Sequence, residues 1–177
     1  MNRCRRQSSI IIFIFLPLAL LAQSPQHASK STDPVYAPLW LYSGSWKITR
    51  NNLSPGAKPD ELVNQCTLIG KYFACQQTVN GSVAELLIFV PGSTPGRYHT
   101  QSVLPSGRAG GLGELQISGD RWIFSSSYNP GGSSVYVRTT NQFQDKNHIH
   151  FEQAESTDNQ QWVVKNSGDE VRVSAAH

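Results

Sequence analysis

The chain is short of charge asymmetry, of long apolar runs and of cysteine, and each shortage removes a class of protein. It carries 15 Lys+Arg against 12 Asp+Glu. Three of those cations, Arg3, Arg5 and Arg6, lie in the first 22 residues. Beyond them the two signs balance, so a basic footprint for nucleic acid or anionic lipid is absent. One apolar run stands out, Ile10 to Leu21, and about a dozen residues is too short to span a bilayer as a helix. No repeat of solenoid length occurs. Nucleophilic catalysis has no Gly-x-Ser-x-Gly elbow to use. The glycine-rich stretch Gly107 to Gly113 lacks the Lys-Ser/Thr of a phosphate loop and precedes no helix; it reads as a flexible connection.

The N-terminus has a basic start, a short apolar middle and a small-residue exit at Ala22-Gln23-Ser24. That order is the pattern of an export signal. Residues 1–22 are expected to be removed, and 23–33, polar and Pro-containing, to form a disordered leader. Residues 34–174 are expected to form one domain, periplasmic or extracellular, with no stable membrane insertion after cleavage. Cys4 leaves with the signal, and Cys66 and Cys75 remain. An even pair in an oxidising compartment points to a bridge; the alternative is two buried free thiols.

Long helical periodicity is also missing. The one helix candidate is short, Pro38 to Ser43, with Pro to start it and Gly44 to stop it. Strand signals fill the rest: 45–51, 61–69, 72–79, 82–90, 97–104, 111–118, 121–128, 134–143, 148–155, 161–166 and a short 170–173. Asn80-Gly81, Gly70-Lys71 and Gly119-Asp120 fit two-residue hairpin turns. Asn166 to Asp169 reads as the turn closing the last pair.

These turns make the register testable. With Gly70-Lys71 as the loop, Cys66 faces Cys75 in a non-hydrogen-bonded pair, near 4.5 Å between Cα atoms, where a disulfide closes. Its small loop is worth roughly 2–3 kcal/mol. With Asn80-Gly81 as the next turn, Phe73, Cys75 and Val79 share a face with Ala84, Leu86, Ile88 and Val90. Around Gly119-Asp120, Leu115, Ile117, Trp122 and Phe124 share one. Consecutive hairpins without crossover helices predict an all-β, antiparallel, up-and-down barrel of about 8–10 strands. A two-sheet sandwich is the competitor.

Short motifs add a resemblance. Gly44-Ser45-Trp46 at the first strand resembles the Gly-x-Trp opening of lipocalins and their calycin relatives. Val137-Arg138-Thr139-Thr140, Phe151-Glu152 and Ser156-Thr157-Asp158-Asn159-Gln160-Gln161-Trp162 resemble exported bacterial lipocalin-like domains of unknown function. The resemblance implies a barrel with an apolar interior and no catalytic residues. It also implies that Trp46 packs at the closed end against a late arginine, Arg172 or Arg138. Haem barrels continue Gly-x-Trp-x-Gly-x-Gly, whereas Trp46 is followed by Lys47-Ile48-Thr49, so no cofactor is expected.

Two constellations remain. His148, His150 and Glu152 point to one side of a strand, a metal-ligand spacing. The alternative leaves them in water while Ile149 and Phe151 face the core. Trp46, Phe73, Trp122, Phe124 and Phe151 fall on inward faces, where they fill the core or line a pocket. The leading expectation is non-catalytic binding of a small apolar or amphipathic molecule. The alternatives are a structural or interaction module of the cell envelope without a small ligand, and a metal-dependent enzyme using the histidine strand.

Overall fold

Left-handed backbone marks where the chain reverses. Asn80 and Gly81 both have positive φ, 51° and 77°, the conformation of a type I′ hairpin turn. The Asn80 side chain secures this turn, accepting from the Glu61 N–H at 2.9 Å and donating to Asp60 at 2.9 Å. Gly70 and Gly119 each adopt φ 60° and open the other two tight turns. In this computed structural model, which describes residues 33–54 and 56–175, the reversals separate ten strands. These are β1 (Gly44–Arg50), β2 (Asp60–Ile69), β3 (Tyr72–Val79), β4 (Ser82–Pro91), β5 (Arg97–Val103), β6 (Ala109–Ser118), β7 (Arg121–Tyr128), β8 (Val135–Asp145), β9 (His148–Ser156) and β10 (Val163–Ala175). Each pairs antiparallel with its sequence neighbour, and β10 returns to pair with β1. The sheet is therefore a closed up-and-down barrel without edge strands, not a sandwich. The expected export signal and most of the leader lie outside the described residues. Among the described residues no helix is long and apolar enough to cross a membrane.

Over the expected helix the chain makes a 3-10 turn, Pro38–Tyr42. It lies across the barrel end where β1 begins. The β2–β3, β4–β5, β6–β7 and β8–β9 connections gather at that end, and the other connections gather at the opposite, open end. Trp46, Phe73, Phe89, Leu115, Trp122, Ile149 and, from the turn, Leu39 fill the closed half, all essentially without solvent exposure. Trp40 meets Phe73 edge-on at 4.9 Å, and Trp122 meets Phe143 at 4.8 Å. Packing of this kind holds the closed half as a solid core.

Cys66 lies opposite Cys75 and is bonded to it, with Cα atoms 4.0 Å apart. The Gly119-Asp120 hairpin also follows the expected faces, Leu115 opposite Phe124 and Ile117 opposite Trp122. Three expectations are corrected. First, the hairpin at Asn80-Gly81 holds its turn, but the ladder slips between Gln77 and Thr78, leaving Ala84 as an extra residue on β4. Because side chains alternate, one extra residue moves the whole strand to its other face. Glu85, Leu87 and Phe89 therefore lie opposite Gln77, Cys75 and Phe73, while Leu86 and Ile88 pair with Gln76 and Ala74 on the outer face. Val90 is exposed. Second, Asn166 to Asp169 is no turn. It lies inside the continuous β10, with an irregularity between Val164 and Asn166. Third, most of the glycine-rich stretch is strand, since β6 begins at Ala109. Gly113 serves close approach there: a Cβ would sit 2.5 Å from the Ser125 carbonyl oxygen and 3.0 Å from the Thr100 hydroxyl.

A polar cavity in the open half of the barrel

Side-chain size changes abruptly along the barrel axis. Inward positions that are large and apolar in the closed half, such as Tyr98, Leu115 and Trp122, give way to Thr100, Ser102, Gly111, Gly113, Ser126 and Thr139 toward the open end. These cannot meet across the barrel, and a cavity of about 380 Å³ remains. Its apolar wall is Ile48, Leu87, Phe124, Val137 and Phe151. Its polar wall is Tyr42, Arg50, Gln77, Glu85, Asn141, Asn166 and Glu170.

The floor is a hydrogen-bonded chain anchored on the 3-10 turn. The Asn64 amide donates to the Tyr42 carbonyl at 3.2 Å, and the Gln77 amide donates to Asn64 Oδ1 at 2.9 Å. The Gln77 amide also reaches the Tyr42 hydroxyl at 3.4 Å. Burial holds the Tyr42 hydroxyl well above its ordinary pKa, helped by the Glu170 charge, so it stays a neutral phenol. Above the floor the pairing is incomplete. Glu170 Oε2, Asn141 Oδ1, Asn166 Oδ1 and Arg50 Nε are buried without a hydrogen-bond partner among the described residues. Buried polar atoms are otherwise nearly always partnered. Arg50 is committed elsewhere through Nη1, 2.7 Å from Asp60. Glu170 is only 7 % exposed, and burial pushes its carboxyl up to about 7 against the opposing pull of Arg50. Burial also raises Glu85, against a hydrogen bond from Ser102.

The aromatic residues expected inside divide between the two halves. Trp46, Phe73 and Trp122 are closed-half core and do not reach the cavity, whereas Phe124 and Phe151 line it. Trp46 takes the role implied by the lipocalin resemblance, with the Arg172 guanidinium 4.0 Å from its ring centre. That guanidinium also donates to the Lys146, Ser43 and Leu41 carbonyls, tying β10 to the 3-10 turn. Arg138 instead covers Trp162 at 4.2 Å. Trp162 follows a loop organised by Asp158, whose Oδ1 accepts from the Gln160 and Gln161 N–H groups at 2.9 and 2.8 Å.

His148 and His150 point to the outer face, each tied to its own carboxylate. His148 Nδ1 lies 2.9 Å from Asp145, and His150 Nδ1 lies 2.8 Å from Asp169. Glu152 is exposed between Thr140 and Ser167. Among the described residues no group of three or more His, Cys, Asp and Glu is placed to hold a metal.

The polar wall is the part that sequence reasoning missed. A signal for it existed in the alternation. Gln77 continues the inward phase of Phe73, Cys75 and Val79, and Glu170 continues that of Arg172. A polar residue in an apolar phase is the mark of a lined cavity.

No protein-family profile and no curated protein matches the chain. Among solved structures, Rv2717c from M. tuberculosis is similar at 16% identity and TM-score 0.49, over 80% of this chain and 98% of that one. The S-type phycobiliprotein lyase CPES from Guillardia theta is similar at 11% identity and TM-score 0.45, over 78% and 93%. Neither likeness bears on what this cavity holds. The class defined here is the ten-stranded up-and-down barrel, stapled by one disulfide and closed at one end by aromatic packing.

Proposed function

We propose that this protein is exported and binds a small amphipathic molecule, without turnover, in the open half of its barrel. The observation that supports it is the cavity of about 380 Å³, in the range of small-molecule sites, whose wall pairs Phe124 and Phe151 with buried polar atoms left unpartnered. Each orphaned atom carries a desolvation cost that a bound polar group relieves. The aromatic wall supplies affinity by burial of apolar area. The polar wall narrows the expectation of an apolar or amphipathic ligand to the amphipathic one.

The test is a fluorescence titration with the neutral amphiphile N-phenyl-1-naphthylamine, whose one polar group is an N–H donor. Saturable binding with a blue-shifted emission is expected. The Thr139→Trp variant fills the cavity from an inward position between Phe124 and Gln153 and is expected to abolish it while circular dichroism stays that of a barrel. No saturable binding to the native protein, or equal binding to the variant, would overturn the reading. It would move the envelope interaction module ahead of ligand binding.

A further inference from the structure

Resting on that reading, we infer that the molecule held in the cavity is an organic cation, an amine on an aromatic or aliphatic body, whose ammonium seats beside Glu170. Three observations carry it. First, the unpartnered atoms of the residues that line the cavity are mostly of one kind. Three are oxygens, on Glu170, Asn141 and Asn166, and the nitrogen is that of Arg50. An alkylammonium brings three N–H donors and no acceptor, which answers a surplus of acceptors. A carboxylate or carbonyl ligand would add acceptors to a wall that already has too many.

Second, the charge of the site is negative. Arg50 is the cation lining the cavity, and Asp60 already neutralises it at 2.7 Å. Glu85 and Glu170 line the same cavity, and among the described residues no second cation lines it to offset them. A ligand anion would meet both carboxylates in a partly desolvated space, where like charges repel strongly. Third, the apolar wall carries two aromatic rings, Phe124 and Phe151, with Tyr42 at the floor, 6.0 Å from Phe124. Aromatic faces attract organic cations.

The groups that face Glu170 fix how binding depends on pH. They are Arg50 on β1, Tyr42 on the 3-10 turn and, across the cavity, Glu85 on β4. On the neighbouring strand β9 the inward residues beside Glu170 are Ile149 and Phe151, and the same phase continues toward the open end through Gln153 and Glu155. Tyr42 stays a neutral phenol, and the change of state lies with the buried carboxylates. Burial raises both, Glu170 to about 7. As pH falls below that value the cavity loses negative charge, and the preference for a cation fades.

The experiment is isothermal calorimetry with three probes of similar size: 2-phenylethylamine, 2-phenylethanol and 3-phenylpropanoate. At about pH 8.5 the amine is expected to bind about tenfold or more tightly than the alcohol, as a charge-assisted hydrogen bond allows, and the carboxylate weakest. Near pH 5.5 the amine-to-alcohol ratio is expected to fall toward one. Glu170→Gln, which keeps the shape and removes the charge, is expected to lose the amine preference. Equal binding of amine and alcohol to the native protein would overturn the inference, and so would an amine preference unchanged in Glu170→Gln. Either result leaves the cavity reading standing, because the alcohol still binds. If none of the three binds, both readings fall.

Discussion

The two halves of this barrel are built by the same ten strands and differ in what the inward positions carry. Toward the closed end those positions are Trp46, Phe73, Phe89, Leu115 and Trp122, packed without solvent. Toward the open end they are small or polar, and four buried polar atoms lack partners. Stability is therefore concentrated in one half, and the proposed recognition in the other. The difference teaches that a closed ladder of hydrogen bonds does not require a uniform core. Backbone pairing carries the strands past the cavity, and the aromatic half holds the structure together.

The sharpest way to break that comparison is to truncate one aromatic in each half. Trp122→Ala removes a fully buried ring from the closed half and is expected to cost about 3–5 kcal/mol. Phe124→Ala, half-buried beside existing empty space, is expected to cost about 1 kcal/mol and to weaken the fluorescent amphiphile instead. Urea unfolding of the two variants measures both. Equal losses would mean that the halves are not distinct.

Glu170 supplies the second test, with the opposite sign. Its carboxyl is ordinary in the unfolded chain, near 4.5, and raised to about 7 in the fold. The folded state thus holds a proton that the unfolded chain releases. Stability is lost as pH rises from the lower value through the higher one. Glu170→Gln cannot ionise. Its stability is expected to match the native protein near pH 4 and to exceed it above about pH 7 by on the order of 2–3 kcal/mol. Thermal unfolding across that range reads it, and a constant difference at every pH would contradict the burial argument.

A third comparison sets the two Trp–Arg stacks side by side. Arg172→Ala strands three carbonyls at the closed end as well as uncovering Trp46. A loss of about 2 kcal/mol is expected. Arg138→Ala uncovers Trp162 alone, for about 0.5–1 kcal/mol. Comparable losses would remove the distinction between a structural clamp and a surface contact.

How much of this was legible in the sequence follows from where local chemistry decides the outcome. Gly70-Lys71 fixes its own turn, so the pairing of Cys66 with Cys75 follows from counting. Gly119-Asp120 does the same for Trp122 and Phe124. The Asn80-Gly81 turn is equally clear, yet counting outward from it gives the wrong face for β4. The extra residue at Ala84 lies four residues beyond Asn80, and nothing in an alanine between Val83 and Glu85 announces it. The same limit explains β10. Asn166, Ser167, Gly168 and Asp169 are turn-forming residues, but the neighbours β1 and β9 hold them extended. Gly168 is required there by packing, since a Cβ would lie 2.0 Å from the Thr49 carbonyl oxygen. The inward placement of Phe124 and Phe151 was legible from strand alternation, whereas Glu170 was signalled only by its phase with Arg172. Its inward direction depends on the β10 register that the false turn concealed.

The central claim is that the open half exists to hold a small molecule. Native mass spectrometry of the protein purified from its own host tests it most directly. The account predicts a complex heavier than the processed chain by one small organic molecule, released on denaturation and lost in Thr139→Trp. A native protein that carries no such molecule, and takes up none from an extract of its host's small metabolites, would contradict it.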